Sequence, residues 1–252
     1  MITPIIAGNW KMHNTIDESK TLVNQIIHIL SKIESVQTVL CPPFTSLTVV
    51  RELLKQSNVK LGAQNLHFAT EGAFTGEISP IMVAELCQYV VLGHSERRQY
   101  FRETDENINL KVISSLEVGL TPILCVGENL TEREQGRANQ IIETQLTTCL
   151  QNLPTQLDLV VAYEPVWAIG TGMPATSQMA QEMMSHIRIV LGSIFGINTA
   201  SEVALLYGGS VNPNNISELL SEKDINGALV GGASLNPKSF VQIVQESAKL
   251  QA

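Results

Sequence analysis

Charge is scarce in this sequence, and positive charge is scarcer. Asp, Glu, Lys and Arg make up 16% of its 252 residues, and 24 acids against 16 bases leave a net charge of −8. A surface that grips nucleic acid needs the opposite balance, so that class of partner is excluded. Cysteine is sparse as well. Cys41, Cys87, Cys125 and Cys149 lie far apart and form no CxxC pair, so their spacing signals neither a zinc site nor a disulfide framework. No apolar run is long enough to span a bilayer, and the N-terminus lacks a basic region followed by a long apolar segment. Linkers and low-complexity segments are missing too. The expectation is a reduced, soluble, cytoplasmic protein with no metal and no nucleic-acid or membrane partner.

What is present is apolar and repetitive. Hydrophobic residues account for 44% of the chain, enough for a large core. The length suits one large domain or two small ones, and an α/β barrel runs to roughly this length as one domain. Eight short β-rich runs recur: Ile5–Ala7, Thr38–Cys41, Lys60–Ala63, Tyr89–Leu92, Pro122–Val126, Leu159–Tyr163, Val203–Tyr207 and Gly227–Val230. They are continuous rather than alternating, as in parallel strands covered on both faces. Helical patterns lie between them. Leu22, Val23, Ile26, Ile27 and Leu30 share one helical face. Thr15 with Glu18, and Thr131 with Glu134, have capping-box spacing. Asn212-Pro213 and Asn236-Pro237 read as N-cap plus first-turn proline. Strand then helix, eight times over, predicts an α/β fold: a closed (β/α)8 barrel forming a single domain over residues 1–252. An open doubly wound sheet is the runner-up. It usually announces a dinucleotide through GxGxxG after its first strand, where this chain has Gly8-Asn9-Trp10-Lys11.

Barrel enzymes work at the C-terminal ends of their strands. Those ends hold Asn9 and Lys11, Gln64-Asn65, His94-Ser95-Glu96, Gly127-Glu128, Glu164, Gly208-Gly209-Ser210 and Gly231-Gly232. A strand-end acid by itself is more often a solvated residue or a helix cap. Glu164, however, is followed by Pro165-Val166-Trp167 and Gly170-Thr171-Gly172, which reads as a base beneath a lid that desolvates it. A lone histidine is more often a satisfied core residue. His94 stands at a strand end and at a helix start, and a helix N-terminus favours a neutral ring. Lys11 read blandly is a surface lysine, but an acidic protein that binds an anion needs a local positive charge. The two glycine pairs could be tight turns. In a barrel, the loops after strands seven and eight often build a phosphate site from backbone N–H groups. Residues 66–78 form a long connection whose Phe68 and Phe74 suit an interface better than solvent.

Three motifs then stand out, Gly8-Asn9-Trp10-Lys11, Gly93-His94-Ser95-Glu96-Arg97-Arg98 and Ala162-Tyr163-Glu164-Pro165-Val166-Trp167-Ala168-Ile169-Gly170-Thr171-Gly172, with Tyr207-Gly208-Gly209-Ser210 as a fourth. Their collinear order resembles the triosephosphate isomerase family over essentially the whole chain. The general scheme of a glutamate base, a neutral histidine and a water-excluding loop is a standard example drawn from that family. The resemblance implies a TIM barrel that interconverts dihydroxyacetone phosphate and D-glyceraldehyde 3-phosphate, in glycolysis and gluconeogenesis, without metal or organic cofactor. It implies Glu164 as the base, His94 as the polarising proton shuttle, Lys11 as the cation, and Asn9 orienting the oxygens. Gly170, Ser210, Gly231 and Gly232 would hold phosphate, with Ser95 and Glu96 in support. Residues Pro165 to Gly172 would be the lid, hinged at Met173-Pro174-Ala175. It further implies a homodimer braced by Thr75 and Arg98. Position 14 departs from the commoner pattern by carrying Asn14. Two rivals remain: a barrel that binds phosphate compounds or a protein partner without catalysis, and a Schiff-base aldolase, which would want lysine where Glu164 stands.

Overall fold

The computed structural model describes residues 2–168 and 175–251. The lid residues Ile169 to Gly172, with Met173 and Pro174, lie outside that range. Eight parallel strands close on themselves: β1 (Ile5–Asn9), β2 (Gln37–Cys41), β3 (Lys60–Ala63), β4 (Tyr89–Leu92), β5 (Thr121–Val126), β6 (Val160–Tyr163), β7 (Ala204–Tyr207) and β8 (Gly227–Val230). β1 pairs with both β2 and β8, with Ile5 opposite Gln37 and Gly227. That pairing rules out the open sheet and gives a TIM barrel. Each strand is covered on both faces, so the apolar runs are continuous for the reason anticipated.

Alternation along each strand separates two cores. Ile5, Ala7, Val39, Cys41, Val91, Ile123, Cys125, Val160, Ala162, Ala204, Leu206 and Leu229 pack together inside the barrel. Ile6, Leu40, Val90, Leu124, Val161, Tyr163, Leu205 and Tyr207 pack outward with the helices. The inward set continues past the strand ends. Counting by twos from β1, β6, β7 and β8 brings Asn9, Glu164, Gly208 with Ser210, and Gly231 to one mouth.

The helix Ile16–Leu30 starts at Thr15, whose side chain and Glu18 form the expected capping box. Asn236 caps Pro237–Lys249 through the Ser239 N–H, also as expected. Two other caps are corrected. The second capping box joins Asn129 and Glu132, not Thr131 and Glu134. The helix Leu130–Glu134 begins one step after Asn129, whose side chain accepts from the Glu132 N–H at 3.0 Å. Asn212-Pro213 does not start a helix. Asn212 accepts from the Asn214 N–H, and the helix Ile216–Leu220 follows three residues later. Polar side chains near a helix start compete for the same free N–H groups, and packing decides which wins.

Candidate active site

A cavity of about 360 Å³ opens at the C-terminal mouth, lined by Asn9, Lys11, His94, Glu164, the 208–212 loop, Leu229 and the 231–233 turn. A larger cavity of about 720 Å³ lies at the opposite mouth, beside Ile2, Gln37, Tyr89, Thr121 and Asp158. It contains none of the paired acid and base groups, so size does not mark the chemistry here.

Glu164 follows β6 directly, and its N–H donates to the Val126 carbonyl at 2.8 Å, extending the β5–β6 ladder. Its side chain is 2% exposed. Oε2 accepts from the Ser95 N–H at 2.8 Å. Oε1 lies 2.9 Å from His94 Nε2, but Oε1 has no aligned hydrogen-bond donor among the described residues. Burial pushes the Glu164 pKa upward. His94, the Ser95 N–H and Lys11 outweigh that push, and the carboxyl titrates below its usual range. Desolvation therefore acts as the sequence suggests, yet in this arrangement it does not win.

His94 reaches the mouth by an irregular route. Its strand parity points outward, but Gly93 at φ 69° breaks β4 and re-aims the chain. His94 then caps the helix Ser95–Phe101, and its Nδ1 accepts from the Glu96 N–H at 3.2 Å. That bond keeps Nδ1 unprotonated and leaves the ring proton on Nε2, toward Glu164. Burial disfavours imidazolium, Glu164 and Glu96 favour it more strongly, Lys11 opposes, and the balance lies above the ordinary histidine value. The neighbouring carboxylate, more than the helix start, thus sets this ring's proton affinity. Glu164→Gln removes the main raising influence, so His94 should titrate at lower pH in that variant. A nitrogen NMR titration with His94 unchanged or moved upward would contradict this coupling.

Lys11 is the one lysine or arginine lining the cavity among the described residues. Its Nζ donates to Glu96 Oε1 at 2.6 Å. Its backbone is left-handed, at φ 52°. Asn9 Oδ1 accepts from the Lys11 N–H at 3.0 Å, and Gln64 Nε2 donates to the Lys11 and Cys41 carbonyls at 2.9 and 2.8 Å. Gln64 is a residue that sequence reading placed at the rim without a task. Its signal is parity: like Glu164, it lies one step beyond its strand on the inward side. The Gly232–Leu235 turn is 3₁₀, and its first N–H groups have no partner within the turn.

The start of the proposed lid is anchored. Pro165 leads into a 3₁₀ turn over Val166–Ala168. The Val166 N–H donates to the Glu128 carbonyl at 3.1 Å. The fully buried Glu128 accepts at Oε1 from Trp167 Nε1, Tyr163 and Arg133 at 2.8, 3.1 and 3.0 Å. Glu128 is thus a further residue that sequence reasoning left without a role. Across the gap, Ser210 Oγ donates to the Ala168 carbonyl at 3.5 Å. Burial pushes the Tyr207 phenol up to about 12, with the Ala175 N–H working against it. Gly170, the expected phosphate donor, lies outside the described residues.

Paired acid and base groups with a single cation, at the C-terminal mouth of a (β/α)8 barrel, define the acid–base class of barrel enzymes. Comparison with known proteins makes the assignment narrower. The family model described as triosephosphate isomerase matches residues 4–247. A triosephosphate isomerase of Dehalococcoides mccartyi is 51% identical over 247 residues, covering 98% of this chain and 97% of the relative. Those of Clostridium perfringens and Carboxydothermus hydrogenoformans are each 50% identical, covering 99% and 100% of the relatives and 97% and 98% of this chain. The chain belongs to the triosephosphate isomerase family.

Proposed function

We propose that the chain is an aldose–ketose isomerase that interconverts dihydroxyacetone phosphate and D-glyceraldehyde 3-phosphate through an enediolate, as one barrel domain. The carrying observation is the 2.9 Å approach of His94 Nε2 to Glu164 in the cavity that also holds Lys11. Glu164 takes the proton α to the carbonyl. To do so it gives up the Ser95 N–H, which restores the basicity that this bond suppresses. His94 donates from Nε2 to the carbonyl oxygen and moves protons between the two oxygens. Lys11, steadied by Glu96 and Gln64, offsets the developing negative charge and attracts the phosphate dianion. Asn9 orients the oxygens. The N–H groups of Gly170, Ser210 and Gly232, with Gly231 leaving room, hold the phosphate. Closure of Pro165–Gly172 excludes water.

The test is direct. Pure protein should convert one triose phosphate into the other without added cofactor and incorporate solvent hydrogen at the exchanging carbon. Phosphate-ester binding without isomerisation would favour the non-catalytic barrel instead.

We also propose a homodimer in the cytoplasm. The four cysteines are free and buried, as suits a reducing compartment. No helix of the described residues is long and apolar enough to cross a membrane. The loop after β3 supports the dimer reading. The His67 N–H donates to the Ile78 carbonyl and closes its base, while the His67 ring stacks on Phe68 and meets Phe74 at a tilt. Phe74, Ile81, Met82, Tyr100, Phe101 and Met12 are exposed in connections after β1, β3 and β4. Such a set is costly in water and stabilising in an interface. Asn14 Nδ2 is buried there without a partner among the described residues. Arg98 acts from within, donating to the Gly93 and Cys125 carbonyls at 2.7 and 3.2 Å and pairing with Asp105. Replacing residues 71–76, with Thr75 at the exposed tip, by a short polar turn should yield a folded monomer of low activity. Sedimentation showing a monomer with full specific activity would defeat the requirement for the dimer.

A further inference from the structure

We infer that Gln145 is a positioning residue for Glu164, acting through Gly127. The inference rests on the role proposed above for Glu164.

In a parallel ladder, successive residues send their N–H and C=O groups to opposite neighbours. The carbonyls of Val126 and Glu128 face β6, where they accept from the Glu164 and Val166 N–H groups. Gly127, between them, must send its amide the other way, toward β4. But β4 ends at Leu92, opposite Leu124, and the chain then turns into the helix Ser95–Phe101. Past that point, among the described residues, no strand pairs with β5 on its β4 side. Side chains replace it. Arg98 donates to the Cys125 carbonyl at 3.2 Å. Gln145, from the helix Ala138–Cys149, then closes both bonds of Gly127. Its Oε1 accepts from the Gly127 N–H at 2.8 Å, and its Nε2 donates to the Gly127 carbonyl at 3.1 Å. A carboxamide is the side-chain group that offers a donor and an acceptor with peptide geometry.

Gly127 passes this hold on to the base. A Cβ on Gly127 would lie 1.8 Å from the Glu164 carbonyl oxygen and 3.2 Å from the Glu164 Cβ. The two backbones are therefore in direct contact, and a shift of Gly127 is a shift of the Glu164 backbone. The phosphate side of the cavity, at Ser210 and Gly232, is built by the segments after β7 and β8, and Gln145 does not line that cavity. Loss of the carboxamide should disturb the aim of the base and leave substrate binding alone.

The test compares Gln145→Met, which keeps the bulk and removes both bonds, with Leu146→Ala. Leu146 is fully buried on the same helix and not part of the cavity, so its truncation loosens the helix without freeing Gly127. At a temperature well below both unfolding midpoints, Gln145→Met should lower kcat about tenfold with KM within about twofold, since sub-ångström misplacement of a base costs on that order. Leu146→Ala should lower Tm and leave kcat unchanged. Gln145→Glu keeps the acceptor, loses the donor and folds with an isosteric side chain. It should give an intermediate kcat, with the acid limb of the pH profile moved to higher pH by the added negative charge. Amide hydrogen exchange supplies a readout independent of turnover: Gly127 and Glu164 should exchange faster in Gln145→Met than in Leu146→Ala. Unchanged kcat and unchanged exchange in Gln145→Met, or losses equalled by Leu146→Ala, would overturn the inference. An unsubstituted chain that does not isomerise triose phosphates would instead sink the proposed function, and the exchange comparison would still decide whether Gln145 holds Gly127.

Discussion

Glu164→Asp should lower kcat about a hundredfold and change the inhibition constant of inorganic phosphate little. The backbone of Glu164 cannot follow the shorter side chain toward the substrate. It is bonded to Val126, pressed against Gly127 and fixed at the end of Val160–Tyr163, where every residue is buried. The carboxylate therefore retreats by roughly 1 Å, and a misplacement of that size costs about two orders of magnitude in a proton transfer. Phosphate contacts arise elsewhere, on the 208–212 loop and the 231–233 turn, so affinity for the dianion should persist. The pH profile offers a second check. Burial raises the Glu164 pKa, but His94, the Ser95 N–H and Lys11 bring it below the usual carboxylate range. The free enzyme should thus keep its base ionised at neutral pH, and kcat/KM should fall as pH drops through that depressed pKa. Steady-state kinetics of Glu164→Asp with unaltered turnover would remove this residue from the base role.

Lys11→Met should cost more, because it strikes binding and turnover together. The substitution keeps most of the apolar stem and adds little backbone strain, since neither side chain is β-branched and both must adopt φ 52°. What is lost is the ammonium. It is the one lysine or arginine charge lining the cavity among the described residues, in a chain of net charge −8. A charge-assisted hydrogen bond contributes about 1.5–3 kcal/mol, or about one to two orders of magnitude. Lys11 serves both the phosphate dianion and the developing oxyanion, so kcat/KM should fall about a thousandfold, with KM raised and kcat lowered. Glu96, deprived of its partner at 2.6 Å, would add repulsion to the loss. Circular dichroism and thermal unfolding should show an intact fold. A near-normal KM would mean that backbone amides alone hold the dianion.

The sequence by itself determined the barrel and most of the rim. Parallel strands covered on both faces must be apolar at every position, so eight short continuous runs separated by helical patterns are readable one at a time. Asn9, His94 and Glu164 were legible for the same reason, each lying within two residues of such a run, and Lys11 follows the first run by four. Three things depended on the tertiary structure. Closure is one, since the pairing of β1 with β8 joins residues more than two hundred positions apart. The charge balance of the site is another. The residue types suggested a carboxylate made more basic by burial and a histidine governed by its helix start. Instead, the 2.9 Å approach of His94 to Glu164 and the Ser95 N–H govern both groups, and such distances follow from packing rather than from local pattern. The third is the supporting cast. Gln64, Glu128 and Gln145 bond to Lys11, Trp167 and Gly127 across 53, 39 and 18 positions. A polar side chain carries no mark of which distant backbone group it will satisfy. That choice is made when the helices settle on the barrel and each buried N–H and C=O has to find a partner.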